Sequence, residues 1–188
     1  MTTGTGARPL RADAARNRRA VIDAARDAFD RYGATASLDD IARAAGVGPG
    51  TLYRHFPARD DLILAVLDNS FAELHRLGVE LLDEPDPLRA VSRWLDAYVE
   101  QCGMFEGLFQ VLVRPPAHES GSNCQLATEA GTALIRRAMD AGALRADVDA
   151  DEVRQLVTAV ACVGGQLPPD PDRRTRLLQM MLDGIRPR

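Results

Sequence analysis

Four side chains in the segment GPGTLYRHF (48–56) are of the types that hydrogen-bond to nucleic acid. Tyr53 and His55 carry donors that suit phosphate oxygens, and Arg54 can pair either with a phosphate or bidentately with guanine. Thr51 adds a hydroxyl and a methyl group, which suit base edges. This combination predicts a surface that grips a phosphate backbone and touches bases.

The residues that flank these four side chains favour the same use. Gly48, Pro49 and Gly50 have little side-chain bulk, so a helix that starts there could approach base edges closely. Arg59 opens the following helix and could reach the adjoining backbone phosphates. We therefore predict a DNA-binding set that consists of Ser37, Gly48, Pro49, Gly50, Thr51, Tyr53, Arg54, His55 and Arg59.

Residues that could do other chemistry are scattered along the chain. His118 precedes Cys124 by six residues, but no third candidate ligand and no orienting partner is near them in sequence. A metal site needs three or four closely spaced ligands, and a nucleophilic pair needs an orienting group. Glycine-rich phosphate loops, Ser-His-Asp order and paired carboxylates on a shared helix face are not evident. We expect no enzymatic activity, no metal site and no cofactor.

The elements that must position the DNA-binding set are helices. Apolar residues recur at three- and four-residue spacing, strand-like alternation is hard to find, and glycine, proline and serine mark the breaks. We predict about nine helices, near 13–32, 38–45, 49–56, 59–82, 87–101, 104–112, 122–141, 149–163 and 172–184. The fold class is therefore all-α: a flexible arm (1–12), a three-helix head (13–58) and a larger helical bundle (59–188).

Local signals place a tight turn before the DNA-binding segment. The Ser37 hydroxyl can accept from the amide of Asp40, whose carboxylate can reach back, as in a capping box. The link 46–48 then leads to a helix in which Leu52 and Phe56 should point inward. Two short helices joined in this way after a longer one form a helix-turn-helix, whose second helix is narrow enough to enter the major groove.

Composition excludes several classes of protein. The 188 residues are 46% apolar and 27% charged, which is a globular mix and excludes disorder throughout. No apolar run approaches the roughly 18–20 residues of a membrane span, and the N-terminal segment lacks the apolar core of a secretory signal. Three cysteines without paired spacing favour a location in the reducing cytoplasm over a disulfide framework.

Charge is divided unevenly along the chain. Residues 1–57 hold nine arginines and six acidic residues, a net charge of +3, whereas residues 58–188 hold fourteen arginines and twenty-one acidic residues, a net charge of −7. A basic head before an acidic body suggests that the head meets an anion. The first arginines could form an arm along DNA or, with equal support, a solvated tail; they are Arg8, Arg11, Arg16, Arg18 and Arg19.

The segment IARAAGVGPGTLYRHFPARDDLILAV (41–66) strongly resembles the DNA-binding region of TetR-family transcriptional regulators. The shared order covers roughly residues 13–66: a helix, a Ser-capped helix, a Gly-Val turn and a T-L-Y-x-H-F helix. The chain departs from the family pattern where Gly48 replaces a common capping serine, at a cost of roughly a few tenths of a kcal/mol. Arg59 replaces a common lysine and would keep its phosphate contact.

The resemblance implies a homodimer whose two recognition helices lie about 34–36 Å apart, one turn of DNA, on a palindromic operator. It also implies that the acidic body holds an effector site and the dimer interface. Binding of a small apolar effector would then release the DNA, which makes a repressor the expected function. The alternative from another class is a small helical enzyme or binding protein whose head is vestigial.

Two sets of body residues have the spacing for these implied roles. An aromatic stripe could line the effector cavity or could be ordinary core packing; it comprises Trp94, Tyr98, Cys102, Phe105 and Phe109. The apolar stripes of the last two helices suit a four-helix dimer interface, or only closure of the monomer core; we assign to the interface Leu156, Val160, Val163, Leu178, Met181 and Leu182.

Overall fold

The computed structural model describes residues 7–109, 121–163 and 172–187, with side chains described for 12–101, 121–160 and 172–187. Regular structure in these ranges is helical, which confirms the predicted all-α class. The helices are α1 (Ala7–Tyr32), α2 (Leu38–Ala44), α3 (Pro49–His55), α4 (Arg59–Leu81), α5 (Pro87–Phe109), α6 (Asn123–Asp140), α7 (Ala150–Val163) and α8 (Arg173–Gly184), with a short 3-10 turn (Gly33–Thr35) after α1.

The head folds around a core of its own. Val21, Ile22, Ala25 and Phe29 recur at helical spacing along α1 and are buried. They pack with buried residues of the next three helices, namely Ala36, Ile41, Ala42, Leu52, Phe56, Leu62, Ile63, Val66 and Leu67. Because α3 and the first half of α4 share this core with α1 and α2, the direction of α3 is fixed by packing.

Trp94 lies at the centre of the second core, in the body. Its indole nitrogen donates to the carbonyl oxygen of Leu74 at 3.2 Å, and its ring stacks on that of Tyr98 with centres 5.4 Å apart. A Cβ added to Gly131 would lie 2.3 Å from this ring, and one added to Gly78 would lie 3.0 Å from its nitrogen. These two glycines therefore let α4 and α6 approach α5 closely.

The three central helices of the body have defined directions. Asn123 at the start of α6 donates to Asp68 at 3.0 Å, and Arg137 near its end donates to the Glu84 carbonyl oxygen at 2.5 Å, so α6 runs parallel to α4. The helix α5 begins shortly after α4 ends, and its Trp94 returns to Gly78. It is therefore antiparallel to both neighbours.

Two predicted boundaries differ in the structure. The sequence predicts separate helices at 87–101 and 104–112, but α5 continues through Gly103 as one helix. An isolated interior glycine costs only about 1 kcal/mol relative to alanine, which does not suffice to end a helix. The helix α1 begins at Ala7 instead of residue 13, since Pro9 falls in the first turn, where no amide donor is needed.

Candidate DNA-binding surface

The turn between α2 and α3 depends on glycine. Gly46 has a φ of +69°, in the left-handed region that favours glycine. Its amide donates to the carbonyl oxygen of Arg43 at 3.1 Å, and the Val47 amide donates to that of Ala42 at 3.0 Å. This pair of bonds is a Schellman motif, which ends α2 and satisfies its last carbonyls. The predicted helix-turn-helix is confirmed.

The N-terminal end of α3 is open. Gly48 caps the helix through its backbone alone, since its carbonyl oxygen accepts from the Leu52 amide at 3.2 Å, and Pro49 is the first helical residue. A Cβ added at Gly48 or Gly50 would meet no atom within 4 Å. Protein packing therefore does not require glycine at either position. Thr51, the next residue, is half-buried.

The rest of α3 has one buried and one exposed face, as its sequence predicts. Leu52 and Phe56 are buried in the head core. Tyr53 is 46% exposed, Arg54 is exposed and His55 is half-buried. The hydrogen-bonding side chains are thus presented outward from a helix whose inner face is locked by packing.

Ser37 acts as the N-cap of α2. Its Oγ accepts from the Asp40 amide at 3.3 Å, which confirms that half of the predicted capping box. The Asp40 carboxylate accepts from the Arg43 guanidinium at 2.6 Å, so its negative charge has a partner on the same helix. A contact between the Ser37 hydroxyl and DNA stays a prediction.

Arg59 holds the backbone that precedes α2. Its Nη1 donates to the carbonyl oxygens of Ala34 at 2.8 Å and Ala36 at 2.6 Å, and the residue is half-buried. The sequence suggests a side chain extended toward phosphate, but two carbonyl groups of the short connector need donors and this guanidinium supplies one. Arg59 therefore positions the helix pair. Its predicted contact with phosphate would have to be made by the other two guanidinium nitrogens, Nε and Nη2.

The arginines of α1 differ in their surroundings. Arg18 places its guanidinium carbon 5.4 Å from the ring centre of Phe56, a cation–π contact at the end of α3. Arg16 and Arg19 each pair with an aspartate of the same helix, whereas the side chain of Arg11 lies outside the described residues, as does that of Arg8. The sequence analysis did not predict the contact of Arg18 with Phe56. The position of Arg18, one turn before the buried residues of α1, could have indicated that its side chain lies against the head core.

The predicted effector residues that are described belong largely to the core. Trp94 lies between Gly131 and Tyr98, so its indole fills the centre of the bundle, in agreement with the core-packing alternative. The Tyr98 hydroxyl is half-buried and lies 2.9 Å from that of Thr158 on α7. The side chains of the other predicted members, Cys102, Phe105 and Phe109, lie outside the described residues.

Two of the predicted dimer residues lie in the core of the protomer. Leu178 and Leu182 are buried in the core around Trp94. Helical spacing shows that α8 has an apolar face, but it does not show whether that face meets the same protomer or a partner.

The other predicted dimer residues lie nearer the surface. Leu156 of α7 is 52% exposed, while Val160 and Met181 are partly buried against the body core. The side chain of Val163 lies outside the described residues. Met180, which we did not predict, is 70% exposed on α8; no sequence signal distinguishes it from its neighbour.

Two family descriptions match this chain. Residues 21–66 match "Bacterial regulatory proteins, tetR family", and residues 86–187 match "Transcriptional regulator SbtR-like, C-terminal domain". The second match alone covers more than half of the chain. This chain belongs to the TetR family. The motif in 41–66 and the helical body are thus parts of one TetR-family architecture.

Relatives of this TetR-family chain match chiefly through the head. It is 40% identical over 72 residues to the HTH-type transcriptional repressor LfrR of Mycolicibacterium smegmatis, which is 38% of this chain and 35% of that protein. It is 38% identical over 92 residues to the HTH-type transcriptional regulator TtgR of Pseudomonas putida, 47% of this chain and 43% of that protein. The chain thus spans less than half the length of these relatives.

Solved structures match over nearly the whole TetR-family chain. A TetR transcriptional regulator from Streptomyces coelicolor has a TM-score of 0.73 and 34% identity, with 90% of this chain and 98% of that one covered. A gamma-butyrolactone receptor described as ArpA-like has a TM-score of 0.65 and 26% identity, with coverage of 93% and 90%.

The described residues include neither a helix suited to a membrane nor a cluster of metal ligands. No described helix combines the length and the apolar character that crossing a membrane requires. No three His, Cys, Asp or Glu side chains in the described ranges are grouped so that they could hold a metal ion.

Proposed function

We propose that this TetR-family protein is a DNA-binding transcriptional regulator that acts as a repressor. The observation that carries the proposal is the arrangement of α3. Its inner face is locked in the head core, while Tyr53, Arg54 and the open end at Gly48 and Gly50 face outward. A helix held in this way can enter the major groove with its N-terminal end toward the bases.

The proposed active species is a homodimer. Palindromic operators are read by paired heads, one per half-site, so the body must supply a two-fold contact. Leu156 and Met180 expose apolar side chains on α7 and α8, which supports an interface centred on these helices with Val160 and Met181 at its edge.

A small-molecule effector that binds in the body would release the operator. The receptor description of the ArpA-like neighbour supports a ligand-binding body for this chain. The helix α4 offers a route, because its first half packs in the head core and its second half packs in the body core. Glu73 of α4 also accepts from Arg26 of α1 at 2.5 Å. A shift of α4 would therefore move the head.

The test is operator binding as a function of salt. The full chain would be titrated against a fluorescent duplex taken from the DNA upstream of its own gene, with a scrambled duplex of equal length as control. We expect affinity for the upstream duplex to fall steeply with salt, as for a dimer that neutralises about 6–8 phosphates. Weak binding that is equal on both duplexes and insensitive to salt would support the vestigial-head alternative instead.

A further inference from the structure

One carboxylate of α4 is held by two arginines of α1. Glu73 accepts from the Nη1 of Arg26 at 2.5 Å, and its Oε1 lies 3.6 Å from the Nη2 of Arg19. It also accepts from the Nδ2 of Asn69, one turn earlier on α4, at 3.1 Å. We call Glu73, Arg26, Arg19 and Asn69 the clasp.

The clasp differs from the other described ion pairs of α1. Those pairs join residues three or four positions apart within the helix, and their side chains are more than half exposed, so they contribute little to stability. In the clasp the side chains of Glu73 and Arg26 are only 25% and 30% exposed, so solvent screens their attraction less. Among the described contacts, both ion pairs that lead from α1 to another helix end on Glu73.

The position of Glu73 along α4 places the clasp on the body side of the junction between the two cores. Leu67 is the last buried residue that α4 contributes to the head core, and Leu74 is the first that it contributes to the body core. Glu73 lies directly before Leu74 and about 9 Å beyond Leu67. Arg26 is next to Ala25, which is buried in the head core. The clasp therefore ties a helix of the head to the body half of α4.

Two turns of α1 hold the same carboxylate. Arg19 and Arg26 are seven residues apart, so they lie on one face of α1, about 10 Å apart along its axis. Because Glu73 is held from both turns, a slide or a tilt of α1 against α4 would lengthen at least one of the two contacts. The bond from Asn69 restricts the side chain of Glu73 from its own helix.

The direction of α1 also determines where α3 lies. The two helices share the head core, and Arg18 of α1 lies over the ring of Phe56 at the end of α3. Two further contacts join the head to the body: Phe71 packs against both cores, and α5 contacts α1 and the 3-10 turn. To these contacts the clasp adds a directional, charged bond between α1 and the body half of α4.

We propose that Glu73, held by Arg26 and Arg19, is a positioning residue that fixes the angle of each head on the body and thereby the half-site spacing that the dimer accepts. This inference rests on the proposed function, since spacing has a meaning only for a dimer on a palindromic operator. A change of one base pair moves one half-site by about 3.4 Å and turns it by about one tenth of a turn around the DNA axis. Heads that are held at a fixed angle cannot follow both changes, whereas loosened heads can.

The test measures how the full chain discriminates between spacings. The probes are the upstream duplex, versions of it with one base pair removed or added at the centre of the protected palindrome, and the scrambled duplex. We expect the wild type to bind the natural spacing at least about tenfold more tightly than either altered spacing. Glu73→Gln and Arg26→Gln should each lower this ratio about threefold to tenfold, since a charge-assisted hydrogen bond is lost.

Further variants separate positioning from stability. The double variant Arg26→Gln/Glu73→Gln should lower the ratio no more than either single variant, because both changes remove one contact. Arg19→Gln should lower it by less than about threefold and leave the melting temperature unchanged, since this side chain is 59% exposed. It therefore tests the clasp even if the other variants fold poorly. Asp13→Asn, which removes an ion pair within α1, is the control and should change the affinity for every spacing alike.

The outcomes distinguish this inference from the proposed function. Clasp variants that weaken binding equally at every spacing, or losses that add in the double variant, would show that the clasp only stabilises the head and would refute the inference. A wild type that binds every spacing equally, but more tightly than the scrambled duplex, would refute it as well; in both cases the proposed function stands. A wild type that does not prefer the upstream duplex to the scrambled one refutes the proposed function, and this inference with it, before any variant is compared.

Discussion

The exposed side chains of α3 determine how firmly the protein should hold DNA. Arg54 is exposed and makes no contribution to the head core, so Arg54→Ala should leave the melting temperature unchanged. The operator affinity should fall about tenfold, with the slope of log affinity against log salt reduced by about 1 if the contact is to phosphate. Anisotropy titrations at several salt concentrations give both numbers. Arg136→Ala, an exposed arginine of the body, is the control; equal losses in the two variants would contradict a specific contact.

Arg59 separates positioning of the helix pair from direct contact with DNA. Its bonds to the carbonyl oxygens of Ala34 and Ala36 are lost in both Arg59→Ala and Arg59→Met. We expect the free energy of unfolding of either variant to fall by about 1–3 kcal/mol, because two partly buried carbonyl oxygens lose their donor. Operator affinity should fall as well, since the connector that leads to α2 loosens.

Denaturant titration beside anisotropy distinguishes the two roles of Arg59. A variant that unfolds like the wild type but binds the operator poorly would show that the side chain serves only as a phosphate ligand. Arg43→Ala is the matched control, because this arginine pairs only with exposed Asp40 in the described contacts and should contribute little to stability.

At the scale of elements, close approach of the body helices depends on glycine beside Trp94. Gly131→Ala would place a methyl group 2.3 Å from the indole ring, within the fully packed centre of the bundle. We expect a loss of about 1–3 kcal/mol in the free energy of unfolding, since α6 or Trp94 must move. Gly184→Ala at the end of α8 meets no atom within 4 Å and should be neutral. Equal melting temperatures for the two variants would show that α6 does not pack on Trp94 as described.

The same elements show what sequence could and could not predict. The faces of α3 follow from the four-residue spacing of Leu52 and Phe56, because a short helix in a small head has only one core to face. In α8 the same spacing identified Leu178 and Leu182 as apolar but could not assign them to the protomer core or to an interface. The role of Arg59 had no sequence signal, since its partners are backbone carbonyl groups 23 and 25 residues away.

At the scale of the molecule, the α4 helix joins two separate cores. Val66 and Leu67 pack in the head, while Leu74 and Leu81 pack in the body. An unbroken helix that is fixed at both ends transmits a shift from one core to the other. Ser70, which is 1% exposed, lies between these two groups of residues, at the junction of the cores.

The last prediction concerns assembly. Leu156 is 52% exposed on α7, and a charge placed there would be buried without a partner if α7 lies in the proposed dimer interface. Leu156→Glu should therefore weaken dimerisation by more than about tenfold and reduce operator affinity with it, because a single head makes only half of the contacts.

Val79→Glu on α4, where the wild-type residue is 48% exposed, is the matched control and should remain dimeric. Sedimentation velocity over a concentration series measures both. A Leu156→Glu protein that stays dimeric would place the two-fold contact away from α7, whereas dissociation of the Val79→Glu protein would move it to α4.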